Sequence, residues 1–191
     1  MTTHIHVLGF SGSLRKGSYN AALLRAASEL LPEAMALEIF DLSPLPLYNA
    51  DVETAGVPEV VKDFKSRIKA ADALLIATPE YNYSIPGVLK NAIDWASRPP
   101  KDSPLNGKPL GIMGASGGTG GTIRAQMHLR QVCVFTNMLP LNRPEVLVTK
   151  AAEKFDAEGR LTDEATRKHV RALLEALRDW THKLRGEATN F

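Results

Sequence analysis

The sequence predicts an α/β fold: a parallel β-sheet with helices on both faces. Three observations point there. Strand-like and helix-like runs alternate five times along the 191 residues, the pattern left by repeated strand–helix crossovers. Ala73-Leu74-Leu75-Ile76-Ala77 is apolar without interruption, as a strand is when both faces of its sheet are covered. The three stretches of unusual composition, 9–20, 78–87 and 115–121, each follow a predicted strand. In a parallel sheet they gather beyond the carboxyl ends of the strands.

Each element has its own reason. His4-Ile5-His6-Val7-Leu8-Gly9-Phe10 reads as the first strand, since β-branched and aromatic side chains favour extended chain. A helix is predicted from near Ser18 to Leu31, with Pro32 close to its end, and Met35–Phe40 reads as the second strand. Asp41 to Gly56 contains Pro44 and Pro46 and reads as a loop, with Leu45, Leu47 and Tyr48 available to anchor it. Val57 to Ala70 is predicted helical, with Pro58 in its first turn and Val60, Val61, Phe64 and Ile68 on one face. After the third strand at Ala73–Ala77, a helix from about Gly87 to Ala96 leads to a Pro-rich surface connection, Arg98 to Gly107. Pro109–Gly114 is the fourth strand, Thr122 to Phe135 a helix, and Glu145–Val148 a short last strand. A charged excursion from Ala151 to Gly159 precedes the final helix, which opens at Thr162-Asp163-Glu164 with a cap and first-turn acids. Val170, Leu173, Leu174, Leu177, Trp180 and Leu184 give that helix a stripe expected to be buried.

No repeat, low-complexity tract or linker divides the chain, so residues 1–191 are expected to form one domain. A net charge of +2 and no basic tract interleaved with aromatics argue against nucleic-acid binding. No apolar run approaches the roughly 20 residues needed to span a bilayer, so no membrane insertion is expected. The N-terminus lacks the pattern of a signal peptide, and a single cysteine, Cys133, suits a reducing compartment. A cytoplasmic location is expected.

The first loop, Gly9-Phe10-Ser11-Gly12-Ser13-Leu14-Arg15-Lys16-Gly17-Ser18-Tyr19-Asn20, joins a strand to a helix N-terminus. Free backbone N–H groups and the positive end of the helix dipole meet there and make an anion site. Ser11, Ser13, Ser18 and Asn20 add side-chain donors, and Arg15 adds a charged fork suited to phosphate oxygens. The competing reading is a Ser/Gly loop that only caps a helix. A triphosphate is disfavoured, because Gly12 and Gly17 have P-loop spacing but Ser18 stands where the Lys belongs. The dinucleotide fingerprint also fails in spacing, which leaves a terminal monophosphate. The second loop, Pro79-Glu80-Tyr81-Asn82-Tyr83, is bracketed by prolines. It either presents its backbone and tyrosines to a flat polar ring or seals the core as a turn. The third, Ser116-Gly117-Gly118-Thr119-Gly120-Gly121, permits close backbone approach. A wall against a planar ring is preferred there over a second phosphate site or a hinge.

Three segments carry a family resemblance. They are Gly12–Asn20, then Thr78–Gly87 with Leu89-Lys90-Asn91-Ala92-Ile93-Asp94-Trp95, and Gly117–Gly121 followed by Arg124. Together they resemble the NADPH-dependent FMN reductases, nearest to the soluble chromate/quinone reductases. The resemblance implies a flavodoxin-like, doubly wound sheet of strand order 2-1-3-4-5 with one FMN per subunit. It implies Ser11, Ser13, Arg15, Ser18, Tyr19 and Asn20 around the FMN phosphate. Pro79, Glu80, Tyr81, Asn82 and Tyr83 would line the isoalloxazine, largely through backbone, and Ser116, Gly117 and Gly118 would close its pyrimidine side. NADPH or NADH would give hydride to the flavin, and small-molecule acceptors (quinones, free flavin, azo or nitro compounds, chromate) would take electrons in turn, with ping-pong kinetics. No side-chain acid or base is implied in catalysis, and Glu80 reads as a surface loop acid. A homodimer or homotetramer is implied, with the Arg124 helix and Glu145 at the tetramer contact, where Met127 replaces a common Tyr.

The five histidines are scattered and suggest no metal site. Cys133 lies in an apolar helical stretch and reads as a buried, inert thiol. Competing functions are a flavodoxin-like electron carrier, a flavin-sensing protein and a nucleotide hydrolase. The first is disfavoured by the slightly basic chain and the last by the missing P-loop Lys.

Overall fold

A computed structural model describes residues 4–187, so the outer limits of the expected domain, 1–3 and 188–191, lie outside the described residues. The chain folds as β1 (Ile5–Ser11), α1 (Tyr19–Glu29), β2 (Met35–Phe40), α2 (Ala50–Ala55), α3 (Glu59–Ala70), β3 (Ala73–Ala77), α4 (Gly87–Ala96), β4 (Pro109–Ala115), α5 (Ile123–Thr136), β5 (Leu139–Pro140), β6 (Val146–Val148) and α6 (Glu164–Leu184). All strand pairings are parallel, in the order β2-β1-β3-β4-β5, with β6 also on β4. This is the flavodoxin-like order expected.

Alternation along the strands explains the layers. Ala73, Leu75 and Ala77 of β3 face the cluster built by α1 and α6, while Leu74 and Ile76 face the cluster of α3, α4 and α5. Every residue of β3 is therefore buried, which is why the strand reads as a continuous apolar run. Helix α6 contributes Val170, Leu173, Leu174 and Leu177, all buried at helical spacing. Asp163 caps it by accepting from the Thr166 N–H at 2.9 Å.

Several expectations need correcting. The loop 41–56 holds α2, six residues capped by Asn49 and with none buried, so no apolar periodicity announced it. Helix α3 starts at Glu59, with Pro58 outside it as the cap residue. The fifth sheet position is shared by two short strands: Leu139–Pro140 pairs with the start of β4 and Val146–Val148 with its end. Proline at 140 has no N–H to extend a ladder, and the chain leaves the sheet from 141 to 145. Of the α6 stripe, Trp180 is half-buried and Leu184 exposed. Within the charged excursion after β6, Ala151 and Phe155 join the α1–α6 core.

The candidate flavin site

The carboxyl ends of β1, β3 and β4 place the three loops side by side. At the end of β1, the Gly12 N–H donates to the Ala77 carbonyl at 2.9 Å. A Cβ on Gly12 would lie 3.3 Å from both Pro79 and Leu89, so a side chain there would press the first two loops apart. Ser18 accepts from the Ala21 N–H at 3.2 Å and caps α1, but its own hydroxyl proton remains available. The N–H groups of Tyr19 and Asn20, first in α1, have no acceptor among the described residues. The Arg15 guanidinium lies over the Tyr19 ring, 5.4 Å from its centroid, and Tyr19 packs on Phe155.

Asn20 behaves differently from the donor expected. Its buried amide donates to the Ala115 carbonyl and accepts from the Ala115 N–H, both at 2.9 Å. It thereby ties the start of α1 to the end of β4, fixing the first loop against the third.

In the second loop, Tyr81 and Ser84 exchange backbone hydrogen bonds of 3.0 and 2.9 Å around Asn82 and Tyr83. Both central residues have positive φ, +49° and +64°, which makes a tight two-residue turn of the primed kind. A bulky residue such as Tyr83 adopts that conformation at a cost, and the Arg124 guanidinium 4.0 Å from its ring centroid helps hold it. Glu80 is no loose surface acid. Its carboxylate accepts from the Arg124 and Ala125 N–H groups at 2.9 and 3.2 Å and from Nη1 of Arg124 at 3.1 Å. Thr122, at the cap position of α5, makes no side-chain cap bond. Glu80 supplies the cap from another loop, against the positive end of the helix.

Beyond the Asn20 contact at Ala115, the third loop is anchored through its backbone. The Ser116 N–H donates to Val148, and the Ala151 and Lys150 N–H groups donate to Ser116 and Gly118, all at 3.0–3.1 Å. A Cβ on Gly117 would meet nothing within 4 Å, so no packing within the chain requires glycine there. Open space beside the backbone is what a ligand at close approach needs. At Gly114, by contrast, a Cβ would fall 2.2 Å from Thr122 Oγ1 and 2.3 Å from the Thr78 carbonyl.

Ser13, Arg15, Ser18, Tyr19, Asn20, Pro79, Glu80, Tyr81, Ser116 and Gly117 line one cleft of about 230 Å³. Ser11 lies in an adjoining cleft that shares Ser13 and Arg15. Asn82, Tyr83 and Gly118 line neither and stand exposed at the rim. Hydroxyls, unpaired N–H groups and one guanidinium fit a phosphate monoester, and the glycine wall leaves room for a flat ring. The residues present therefore fit FMN. Cys133 is buried, and burial pushes its thiol up to about 12. Among the described residues no group of three His, Cys, Asp or Glu could hold a metal, and no helix is long and apolar enough to cross a membrane.

Comparison with known proteins agrees with this geometry. Residues 5–153 match the family model of NADPH-dependent FMN reductases. The chain is 56% identical to an NAD(P)H-dependent FMN reductase of Pseudomonas aeruginosa, over 97% of this chain and 100% of that one. It is 48% identical to an NAD(P)H:quinone oxidoreductase of Solanum tuberosum, over 96% of each. Among solved structures, the flavoenzyme NAD(P)H:(acceptor) oxidoreductase of Paracoccus denitrificans superposes with a TM-score of 0.86 at 37% identity, covering 94% of this chain and 98% of that one.

Proposed function

The chain belongs to the NADPH-dependent FMN reductase family and is an NAD(P)H-dependent oxidoreductase that uses FMN; from that premise we propose how its own residues hold the flavin and which acceptors it serves. The phosphate would sit on the N–H groups of Tyr19 and Asn20, the hydroxyls of Ser11, Ser13 and Ser18, and the Arg15 fork. The isoalloxazine would lie between the Pro79–Tyr83 turn and the Ser116–Gly118 wall. FMN, when bound, supplies the hydride acceptor and the electron store. The protein would hold it in place, and the Gly117 and Gly118 N–H groups, which have no acceptor among the described residues, would favour negative charge on the ring. No side chain needs to move a proton in this arrangement, and the one carboxylate at the cleft, Glu80, is occupied in capping α5.

Tyr81 and Tyr83 are half or more exposed, and nothing in the described chain covers the cleft they flank. Nicotinamide and acceptor would use that open side in turn, which gives ping-pong kinetics. Quinones are the proposed acceptor class, in keeping with the relative from Solanum tuberosum. Free flavin, azo and nitro compounds and chromate would compete for the same face. The observation that carries this reading is the convergence of three loops, each tied to its neighbour, on one cleft lined by unpaired donors.

The test is steady-state kinetics of the flavin-loaded protein with NADPH and NADH against a panel of quinones. Parallel double-reciprocal lines are expected. Intersecting lines would exclude alternating occupancy, and a loaded enzyme inert to both nicotinamides would exclude the reading altogether.

A further inference from the structure

A groove of about 610 Å³ opens between the outer face of α3 and the connection from α4 to β4. Lys62, Lys65, Lys69, Lys101 and Lys108 line it, and Asp102 is the one carboxylate in its lining. Lys62 is paired with Glu59 at 2.6 Å. The other four lysines have no carboxylate partner among the described residues. Lys65 donates to the Arg98 carbonyl, and Lys108 donates to the carbonyls of Ala71 and Lys69 at the end of α3. The ammonium groups of Lys69 and Lys101 have no hydrogen-bond or ion-pair partner among the described residues.

Burial pushes the Lys108 ammonium below its ordinary value, with the Asp72 carboxylate opposing that shift and Arg185 adding to it. In a chain whose net charge is only +2, five lysines against one carboxylate in the lining of one concavity make a local field that attracts anions.

The groove is remote from the flavin cleft. Lys108 precedes β4, whose opposite end forms the third loop. Seven strand residues at about 3.3 Å each separate the two by roughly 20 Å. Neither FMN nor the stacked nicotinamide needs to reach it.

We propose that this lysine groove is a second site, which binds a soluble, multiply phosphorylated anion. Lysine recognises phosphate as a point charge, and Lys65 and Lys69, one helical turn apart, face Lys101 and Lys108 along a trough. That spacing suits an extended ligand with several charges better than one compact anion. No aromatic side chain lines the groove, so recognition rests on the phosphates and not on a stacked base. A flat bilayer cannot enter the concavity, and Val57 and Pro104, its apolar members, are half-buried.

The experiment is thermal unfolding of the FMN-loaded protein in tripolyphosphate, against sodium chloride at matched ionic strength. A rise in Tm beyond the chloride control is expected for the wild type. Lys69→Gln/Lys101→Gln should lose most of that rise while keeping flavin content and quinone reduction. Lys168→Gln/Arg171→Gln removes the same charge from the exposed face of α6 and should keep the rise. The proposal fails if the wild type responds to tripolyphosphate as it does to chloride, or if the groove variant responds as the wild type does. Binding to phosphatidylserine vesicles without any tripolyphosphate response would also overturn it.

Discussion

Arg15 is exposed and touches the rest of the chain mainly through the Tyr19 ring, so its removal tests binding with little risk to folding. Arg15→Ala should weaken FMN binding about 10- to 100-fold, the loss expected for one charged hydrogen-bonding group. Flavin absorbance of the purified variant and titration of its apoprotein measure this, and wild-type retention would remove Arg15 from the phosphate. Asp163 is a different kind of residue: its carboxyl is held down to about 2 by Lys154 first, then by Thr166. A carboxyl lowered in the folded state adds stability above its unfolded value near 4, and this is lost as pH falls toward 2. Asp163→Ala should therefore cost about 1 kcal/mol at neutral pH, and the gap in Tm to the wild type should close on acidification. Residue types around the flavin site were readable from composition, but partners were not. Asn20 meets Ala115 and Glu80 meets Arg124 across 95 and 44 residues of chain, and no local pattern encodes such contacts. Glu80 in particular reads as a loop acid until α5 is placed behind it.

At the scale of elements, the two glycines near the third loop separate packing from binding. Gly114, in β4, is closed in by a backbone carbonyl and Thr122, so Gly114→Ala must shift the strand or the second loop. A cost of about 1–3 kcal/mol is expected, as for overpacking elsewhere. Gly117 faces open space, so Gly117→Ala should leave the Tm of the apoprotein unchanged while lowering FMN affinity. Equal effects of the two substitutions on apoprotein Tm would contradict the assignment of Gly117 to the ring wall. The elements most legible in sequence were those with long-range burial written into a continuous run, β3 and α6. The least legible were α2, which buries nothing, and β5, whose two residues pair only because β4 offers its free edge. Short elements carry too few side chains to impose a period, and the sheet decides them.

For the whole molecule, the exposed face of α5 raises the question of a second copy. Ile123 and Met127 are exposed one turn apart, and Val134 and Phe135 follow at 83% and 75% exposure. Aromatic and aliphatic side chains so exposed along one helix suit an interface better than water. Arg124, which holds Tyr83 and pairs with Glu80, is on the same helix, so a partner docked there would lie beside the second loop. Light scattering of the flavin-loaded protein is therefore expected to give a multiple of the 20.8 kDa chain mass. Val134→Glu/Phe135→Glu should reduce it to 20.8 kDa without lowering helix content, because neither side chain belongs to either core. If the neighbouring subunit completes the flavin cleft, the same variant loses FMN as it dissociates, whereas Arg15→Ala loses FMN and keeps its assembly. A wild type that scatters as a single chain would mean that α5 carries its apolar face for some other partner.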